Sequence, residues 1–145
     1  RGPGAGGVSR AAEPCPRRRR MIADAQITFL PSSDLERSRA FYGGVLGLDL
    51  VVDQGTCHIY KVAGEAFLGT CRRDVVEPTE GVIFTFVTDD VDGWCTRILD
   101  SGGRIESGPE HSDHYRIYHA FLRDPDGNRL EIQRFDDPDW SSAPK

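Results

Sequence analysis

The chain repeats one pattern of residues at a fixed spacing, and this repeat constrains its fold more than any other feature. Four pairs of matching residues lie 56 positions apart: Ile27 and Ile83, Asp34 and Asp90, Leu35 and Val91, and Gly47 and Gly103. A later glycine pair, Gly64 and Gly127, lies 63 positions apart, so the second copy is longer near its end. A segment repeated in this way indicates one supersecondary unit that is used twice.

Each copy is predicted to contain one strand, one helix and three further strands. In the first copy, Ser33 and Glu36 form a capping-box pattern, which marks the start of a helix. In the second copy, Asp89 or Asp90 precedes an apolar stripe of helical period that ends at Leu99. The strands of the first copy are predicted at 26–31, 48–52, 57–63 and 66–72, and those of the second at 82–87, 104–107, 115–123 and 129–135.

The two copies together predict the fold class. One copy has a single sheet and one helix, and it cannot enclose a core by itself. Two copies can place their sheets side by side and leave a concave cleft. We therefore predict an α+β fold of two βαβββ modules, which form an eight-stranded, half-open barrel with a cleft and two main helices. The extra residues of the second copy are expected within 107–114.

The last predicted strand begins at a chemically defined turn. Pro125 fixes one backbone angle, and residues 126–128 (Asp-Gly-Asn) tolerate left-handed conformations. The strand then alternates, so that Leu130 and Ile132 point to one face and Glu131 points to the other. The turn and the alternation present Glu131 at a defined point on one face of a sheet.

Composition and charge argue against two kinds of partner, nucleic acids and membranes. The chain has 145 residues and a net charge of −5, but its first 20 residues hold six Arg and one Glu, so the remainder carries −10. This balance disfavours nucleic acid as a partner, because such binding depends on neutralising phosphates. The chain also lacks an apolar run near the ~20 residues of a membrane span, so no membrane association is expected.

The same composition suggests how the chain is divided. We predict a disordered Arg-, Gly- and Pro-rich extension at 1–20, a folded domain at 21–137 and a polar tail at 138–145. Within the domain, the first module is expected at 26–73 and the second at 81–135.

The four cysteines have no C-x-x-C spacing and follow no secretory signal. We therefore predict reduced, mostly buried thiols in a cytoplasmic protein. Cys57 and Cys71 could lie near each other on paired strands, but this alone does not predict a disulfide.

At this level of detail the chain resembles the vicinal oxygen chelate superfamily, which includes glyoxalases, bleomycin-resistance proteins and extradiol dioxygenases. The resemblance covers residues 26–135, and it implies paired βαβββ modules, frequent homodimers and a pocket in each cleft. In many enzymes of this family the pocket holds a divalent metal. The matching segments are 34–42 (DLERSRAFY), 45–48 (VLGL), 88–92 (TDDVD) and 123–131 (RDPDGNRLE).

The resemblance also implies where metal ligands would lie, namely on the first and last strand of each module. Those positions fall on Ile27, Leu68, Ile83 and Glu131. A shift of register by one would bring in Gln26 or Gly69. Isoleucine and leucine have no donor atom, and a protein zinc or iron site needs about three protein ligands. We therefore expect no metal and no cofactor at this site.

Histidine offers a different set of potential ligands. His114, His119 and Glu131 could form a group of two histidines and one carboxylate. The spacing of these residues is not diagnostic of a metal site. His119 is also predicted to line the pocket as a polar residue, because it alternates with Phe121 along one strand.

Three functions follow as hypotheses. The first is a small-molecule-binding protein without the family metal, whose ligand is cationic or aromatic and which the resemblance implies to be a homodimer. The second is a metal-dependent lyase, isomerase or dioxygenase. The third is a non-catalytic structural or regulatory dimer. Glu131 is the predicted catalytic residue, as a general base, unless it only pairs with a neighbouring arginine such as Arg129 or Arg116. The predicted ligand-binding residues are Ile27, Phe29, Tyr60, Ile83, Thr85, Tyr118, His119, Phe121 and Glu131.

Overall fold

The computed structural model describes residue 2, residues 22–77 and residues 80–142. Within these residues the chain forms eight strands in two separate four-stranded sheets. Helices pack against one face of each sheet and leave the other face open. The α+β fold predicted from the repeat is confirmed, and the two sheets do not close into a barrel. The proposed extension at 1–20 lies outside the described residues, apart from Gly2.

The first module contains four strands and one helix. The elements are β1 (Gln26–Ser32), α1 (Leu35–Arg39), β2 (Asp49–Asp53), β3 (Cys57–Ala63) and β4 (Ala66–Arg72). The strand order is β1-β4-β3-β2, with β1 parallel to β4. The helix α1 continues directly into a π-helical segment, Ala40–Val45.

The second module repeats this arrangement. The elements are β5 (Phe84–Val87), α2 (Val91–Asp100), β6 (Ser107–Ser112), β7 (Ile117–Arg123) and β8 (Arg129–Phe135), followed by a short helix α3 (Pro138–Ser142). The strand order is β5-β8-β7-β6, with β5 parallel to β8. The matching order and the matching parallel pair confirm that the sequence repeat encodes one structural unit used twice.

One predicted strand is misplaced. The strand expected at 104–107 is wrong, because residues 107–112 form β6 and pair with β7. β6 is an edge strand whose sequence contains Gly108 and Pro109, and nearly all of its residues are exposed. A strand without a buried face has no apolar alternation that could reveal it.

The two main helices begin at equivalent aspartates. Asp34 caps α1 by accepting hydrogen bonds from the backbone N–H of Glu36 at 3.0 Å and of Arg37 at 3.1 Å. Asp90 caps α2 in the same way through the N–H of Gly93. The predicted capping box is therefore wrong, because Asp34 and not Ser33 is the N-cap residue. The Ser33 hydroxyl instead donates to the carboxylate of Asp126 in the second module.

The core lies between the helices and the inner faces of both sheets. Alternation along the strands turns one set of apolar side chains inward, and burying each such side chain contributes about 1.5–3 kcal/mol relative to exposure. Leu99 was expected in this set, but it is 56% exposed, because it lies at the outer edge of α2. Fully or almost fully buried members from both modules are Leu30, Tyr42, Tyr60, Leu68, Phe86, Leu122, Leu130 and Ile132.

A disulfide joins Cys57 on β3 to Cys71 on β4. The two residues are direct partners in the antiparallel ladder, and their Cα atoms are 4.2 Å apart. The prediction of reduced thiols is therefore wrong for this pair. It fails because chain spacing gives no information on the register that brings the two sulfurs together. Cys95 is a free, buried thiol, as predicted, and burial raises its pKa.

The turn before β8 is anchored to the first module. The carboxylate of Asp124 is buried and accepts hydrogen bonds from the Tyr42 hydroxyl at 2.7 Å and from the Asn128 amide at 2.8 Å. It also accepts from the backbone N–H groups of Asp126 and Asn128. Ser33 donates to the Asp126 carboxylate at 2.5 Å. This network fixes where β8 begins, and hence where Glu131 is presented.

None of the helices in the described part of the chain is both long enough and apolar enough to cross a membrane.

Candidate functional site

A cleft of about 360 Å³ lies on the open face of the second sheet. Its floor is formed by β7 and β8, and Ile83, which directly precedes β5, also lines it. All of its lining residues belong to the second module. Two larger depressions lie elsewhere on the surface, one beside the start of α1 and one between the π-helical segment and α2. Neither contains Glu131. The lining residues of the cleft are Ile83, Tyr115, Ile117, His119, Phe121, Glu131, Gln133 and Phe135.

Glu131 sits in the cleft with both carboxylate oxygens engaged. The Thr85 hydroxyl donates to Oε2 at 2.9 Å, and the Nδ1 atom of His119 lies 2.7 Å from Oε1. Thr85 and Glu131 are direct partners in the parallel β5–β8 ladder, and His119 reaches Glu131 from β7. The side chains of Glu131 and His119 are only 10% and 12% exposed. The predicted pairing of Glu131 with an arginine is wrong for the described residues, since histidine and threonine occupy that role.

This arrangement orients the imidazole of His119. An ionised carboxylate only accepts hydrogen bonds, so the pair is satisfied when Nδ1 carries the proton. The Nε2 atom then presents a lone pair, and within the described residues it has no hydrogen-bond partner. The ring of Phe121 packs edge-on against His119, with ring centroids 5.1 Å apart. The pair can therefore accept a hydrogen bond or a proton from a molecule held in the cleft.

Two further polar residues on β8 belong to this face of the sheet. Gln133 is the direct ladder partner of His119, and its side-chain amide has no hydrogen-bond partner within the described residues. The guanidinium of Arg129 lies 4.0 Å from the centroid of the Phe121 ring. Neither residue was among the predicted site residues. The alternation that pointed to Glu131 could have identified both, since residues two positions apart on a strand share a face.

The structure brings together most of the predicted residues of the second module. Ile83, His119, Phe121 and Glu131 line the cleft, and Thr85 supports it through the bond to Glu131. Their roles in binding or catalysis remain predictions.

The two predicted tyrosines do not line the cleft. Tyr60 is completely buried under the helix of the first module, with its ring 5.6 Å from that of Tyr42, and burial raises its pKa. Tyr118 faces α2, where its hydroxyl donates to Asp92 at 2.6 Å, and this bond raises its pKa. Tyr118 is adjacent to His119 on β7, so the two side chains must point to opposite faces.

Ile27 and Phe29 lie on the open face of the first sheet and do not line this cleft. They are 40% and 49% exposed. The expected apolar wall around Glu131 is instead supplied by Ile83, Phe121 and other residues of the second module.

The residues present do not fit the family's metal site. Leu68 is fully buried on the helix-facing side, so the residue on β4 that corresponds to Glu131 is Gly69, which pairs with Phe29 as Glu131 pairs with Thr85. Glycine, like Ile27 and Ile83, offers no side-chain donor. In the described part of the chain, no group of three His, Cys, Asp or Glu residues could hold a metal ion.

The histidine set predicted as an alternative is not assembled either. His114 is exposed in the turn between β6 and β7 and stacks edge-on against Tyr115, whereas His119 and Glu131 contact each other inside the cleft. The structure therefore keeps two members of that set and separates the third.

Residues 25–132 match the family model of the Glyoxalase/Bleomycin resistance protein/Dioxygenase superfamily. The chain belongs to this superfamily. A lactoylglutathione lyase from Salmonella typhimurium is 31% identical over 120 residues, which cover 72% of this chain and 87% of that enzyme.

Solved structures of the superfamily share the fold. TnmS3, an antibiotic binding protein from Streptomyces sp. CB03234, is 27% identical with a TM-score of 0.65, and the match covers 80% of this chain and 98% of that one. A lactoylglutathione lyase from Agrobacterium tumefaciens is 24% identical with a TM-score of 0.63, over 79% of this chain and 96% of that one. The superfamily thus contains both enzymes and binding proteins on this fold, and the site itself must decide between them.

Proposed function

We propose that this superfamily member is a small-molecule-binding protein whose cleft works without the family metal. The observation that carries this proposal is the state of Glu131. It is the one residue with a donor side chain among the four expected ligand positions, and its two oxygens are already engaged by Thr85 and His119. A carboxylate held in this way acts as a fixed polar anchor in a cleft with apolar walls.

The lining of the cleft supports an aromatic ligand. Phe121, Phe135 and Ile83 provide apolar walls, and aromatic side chains favour stacked or edge-on contacts with aromatic ligands. His119 and Gln133 provide hydrogen-bonding groups that can fix the orientation of such a molecule. A cationic ligand has weaker support, because the charge of Glu131 is directed at its protein partners.

The relatives suggest two competing functions. TnmS3 is an antibiotic binding protein, and binding of an antibiotic-like aromatic molecule fits the site described here. The lactoylglutathione lyase relative suggests an enzyme, which is the alternative. The lack of a fitting donor set at the expected ligand positions favours binding over a lyase that works through a metal.

We also propose that the chain forms a homodimer. The open face of the first sheet carries exposed Ile27 and Phe29, and a second copy would remove this apolar surface from water. A cytoplasmic location remains a prediction, and the Cys57–Cys71 disulfide weakens the argument from reduced thiols.

A thermal-shift screen of neutral aromatic compounds and aromatic antibiotics tests the binding function. A ligand at one hundred times its Kd stabilises the folded state by about 2.7 kcal/mol. In a chain of this size, each kcal/mol of stabilisation raises the melting temperature by about 2–4 °C. We expect Phe121→Ala to reduce the affinity for such a hit about tenfold, because it removes an aromatic wall of the cleft.

The matched control is Tyr118→Phe, which changes the same strand on the opposite face. It should leave the affinity unchanged. If Phe121→Ala binds as well as the wild type, or if no aromatic compound stabilises the protein, the proposed function is contradicted.

A further inference from the structure

We propose that the cleft selects aromatic ligands that carry a carboxylate, and that Arg129 is the residue that binds this anionic group. The inference rests on the proposed binding function and names the class of ligand. It assigns a role to a residue that lies beside the cleft and takes no part in the Glu131–His119 network.

Arg129 is held beside the cleft by its contact with Phe121. The guanidinium lies 4.0 Å from the centroid of that ring, and Phe121 lines the cleft. Arg129 is also two residues from Glu131 on β8, so the two side chains leave the strand on the same face. This cation–π contact restricts the position of the guanidinium beside the cleft.

The charge of Arg129 is not neutralised by the protein. Within the described residues no carboxylate lies within ion-pair distance of it, although Arg37, Arg116, Arg123 and Arg134 all have acidic partners. Its Nε atom is buried and has no hydrogen-bond partner in the same part of the structure. An unneutralised guanidinium beside a cleft favours an anion, which its planar group can bind through two parallel hydrogen bonds.

Glu131, two residues along the same strand, does not fill this role. Its oxygens accept from Thr85 and lie against His119, and neither forms an ion pair with the guanidinium within the described residues. A ligand carboxylate at Arg129 would therefore place its aromatic body in the cleft beside Phe121. Its far end would then lie near His119 and Gln133, which can hydrogen-bond a hydroxyl or carbonyl group.

Three naphthalene probes of equal size and different charge test this inference by isothermal titration calorimetry. The probes are 2-naphthoate, 2-naphthamide and 2-naphthylmethylammonium, which are anionic, neutral and cationic at pH 7. We expect the anion to bind about ten to one hundred times more tightly than the amide, as a charge-assisted pair of hydrogen bonds would provide. The cation should bind most weakly.

Variants of Arg129 locate the source of this preference. Arg129→Gln should abolish the difference between anion and amide while it retains amide binding. Arg129→Lys keeps the charge without the planar fork, and it should retain part of the difference. The matched control is Arg97→Gln, which removes an arginine 5.9 Å from the ring centroid of Trp94 on α2, and it should leave the preference unchanged.

The outcomes separate this inference from the proposed function. Equal affinities for anion and amide, or an anion preference that survives in Arg129→Gln, overturn the role of Arg129 and leave aromatic binding intact. If none of the three probes binds the wild type, the aromatic ligand class fails and the inference fails with it. An anion preference that is lost in both Arg129→Gln and Arg97→Gln also overturns it, because the effect would then follow net charge.

Discussion

Asp124 and Glu131 are two buried carboxylates with opposite roles. Asp124 is a structural hub that accepts four hydrogen bonds, including one from Tyr42 of the other module. Glu131 faces an open cleft and is held by two neighbours. Sequence alternation located Glu131 correctly on the face opposite Leu130 and Ile132. The role of Asp124 could not be predicted, because its main partner lies 82 residues away in the chain.

Tyr42→Phe tests the structural role of Asp124, because it removes one donor to that carboxylate. The variant loses a hydrogen bond to a charged group, so we expect the free energy of unfolding at pH 7 to fall by about 1–3 kcal/mol. Urea denaturation measures this change. Tyr115→Phe is the control, since Tyr115 is 68% exposed, and it should change the stability little.

The pH dependence gives an independent check on Tyr42. Burial, followed by the nearby Asp124 carboxylate, raises the pKa of the Tyr42 phenol far above its ordinary value near 10. The folded state therefore keeps the proton while the unfolded state loses it. The stability that this group contributes is fully present below about pH 10 and falls as the pH rises further. The wild type should lose more stability than Tyr42→Phe between pH 9 and 11, and equal losses would contradict this account.

Sequence patterns predicted the bounds of strands well where a glycine-containing turn marks the end of the strand. β3, β4 and β8 have the bounds expected from alternation and glycine punctuation. β6 was missed because an exposed edge strand with glycine and proline carries no such pattern. Tyr60 was assigned to the wrong face because His58, Ile59 and Tyr60 are all buried, so β3 gives no sign of which side faces the helix.

The open face of β1 is the surface through which we expect two copies of the chain to associate. Phe29 is exposed on this face, and a second copy would cover it. Phe29→Asp would place a charge in that contact, so sedimentation velocity should show a dimer for the wild type and a shift toward monomer for the variant. Leu99→Asp, at an exposed position of α2, should leave the dimer intact. A monomeric wild type, or a dimer unaffected by Phe29→Asp, would contradict the assembly proposed here.

For the whole molecule, the repeat predicted two equivalent modules, but the structure gives them different surfaces. The open face of the second sheet has a carboxylate, a histidine and aromatic walls. The corresponding face of the first sheet has Ile27, Phe29 and Gly69, so it has no polar side chain at these equivalent positions. Sequence reasoning therefore identified the missing metal donors. It could not determine that a histidine and a threonine would engage the remaining carboxylate, because these contacts depend on the register of three strands.

The metal content of the wild type and of Glu131→Gln shows whether the cleft works without a metal. The untagged protein would be dialysed in turn against Zn²⁺, Ni²⁺, Mn²⁺ and Fe²⁺, freed of unbound ions and examined by elemental mass spectrometry. We expect much less than one ion per chain and no difference between the two proteins, because Glu131 is engaged by Thr85 and His119. A stoichiometric metal that is lost in Glu131→Gln would contradict this expectation and would favour a metal-dependent enzyme.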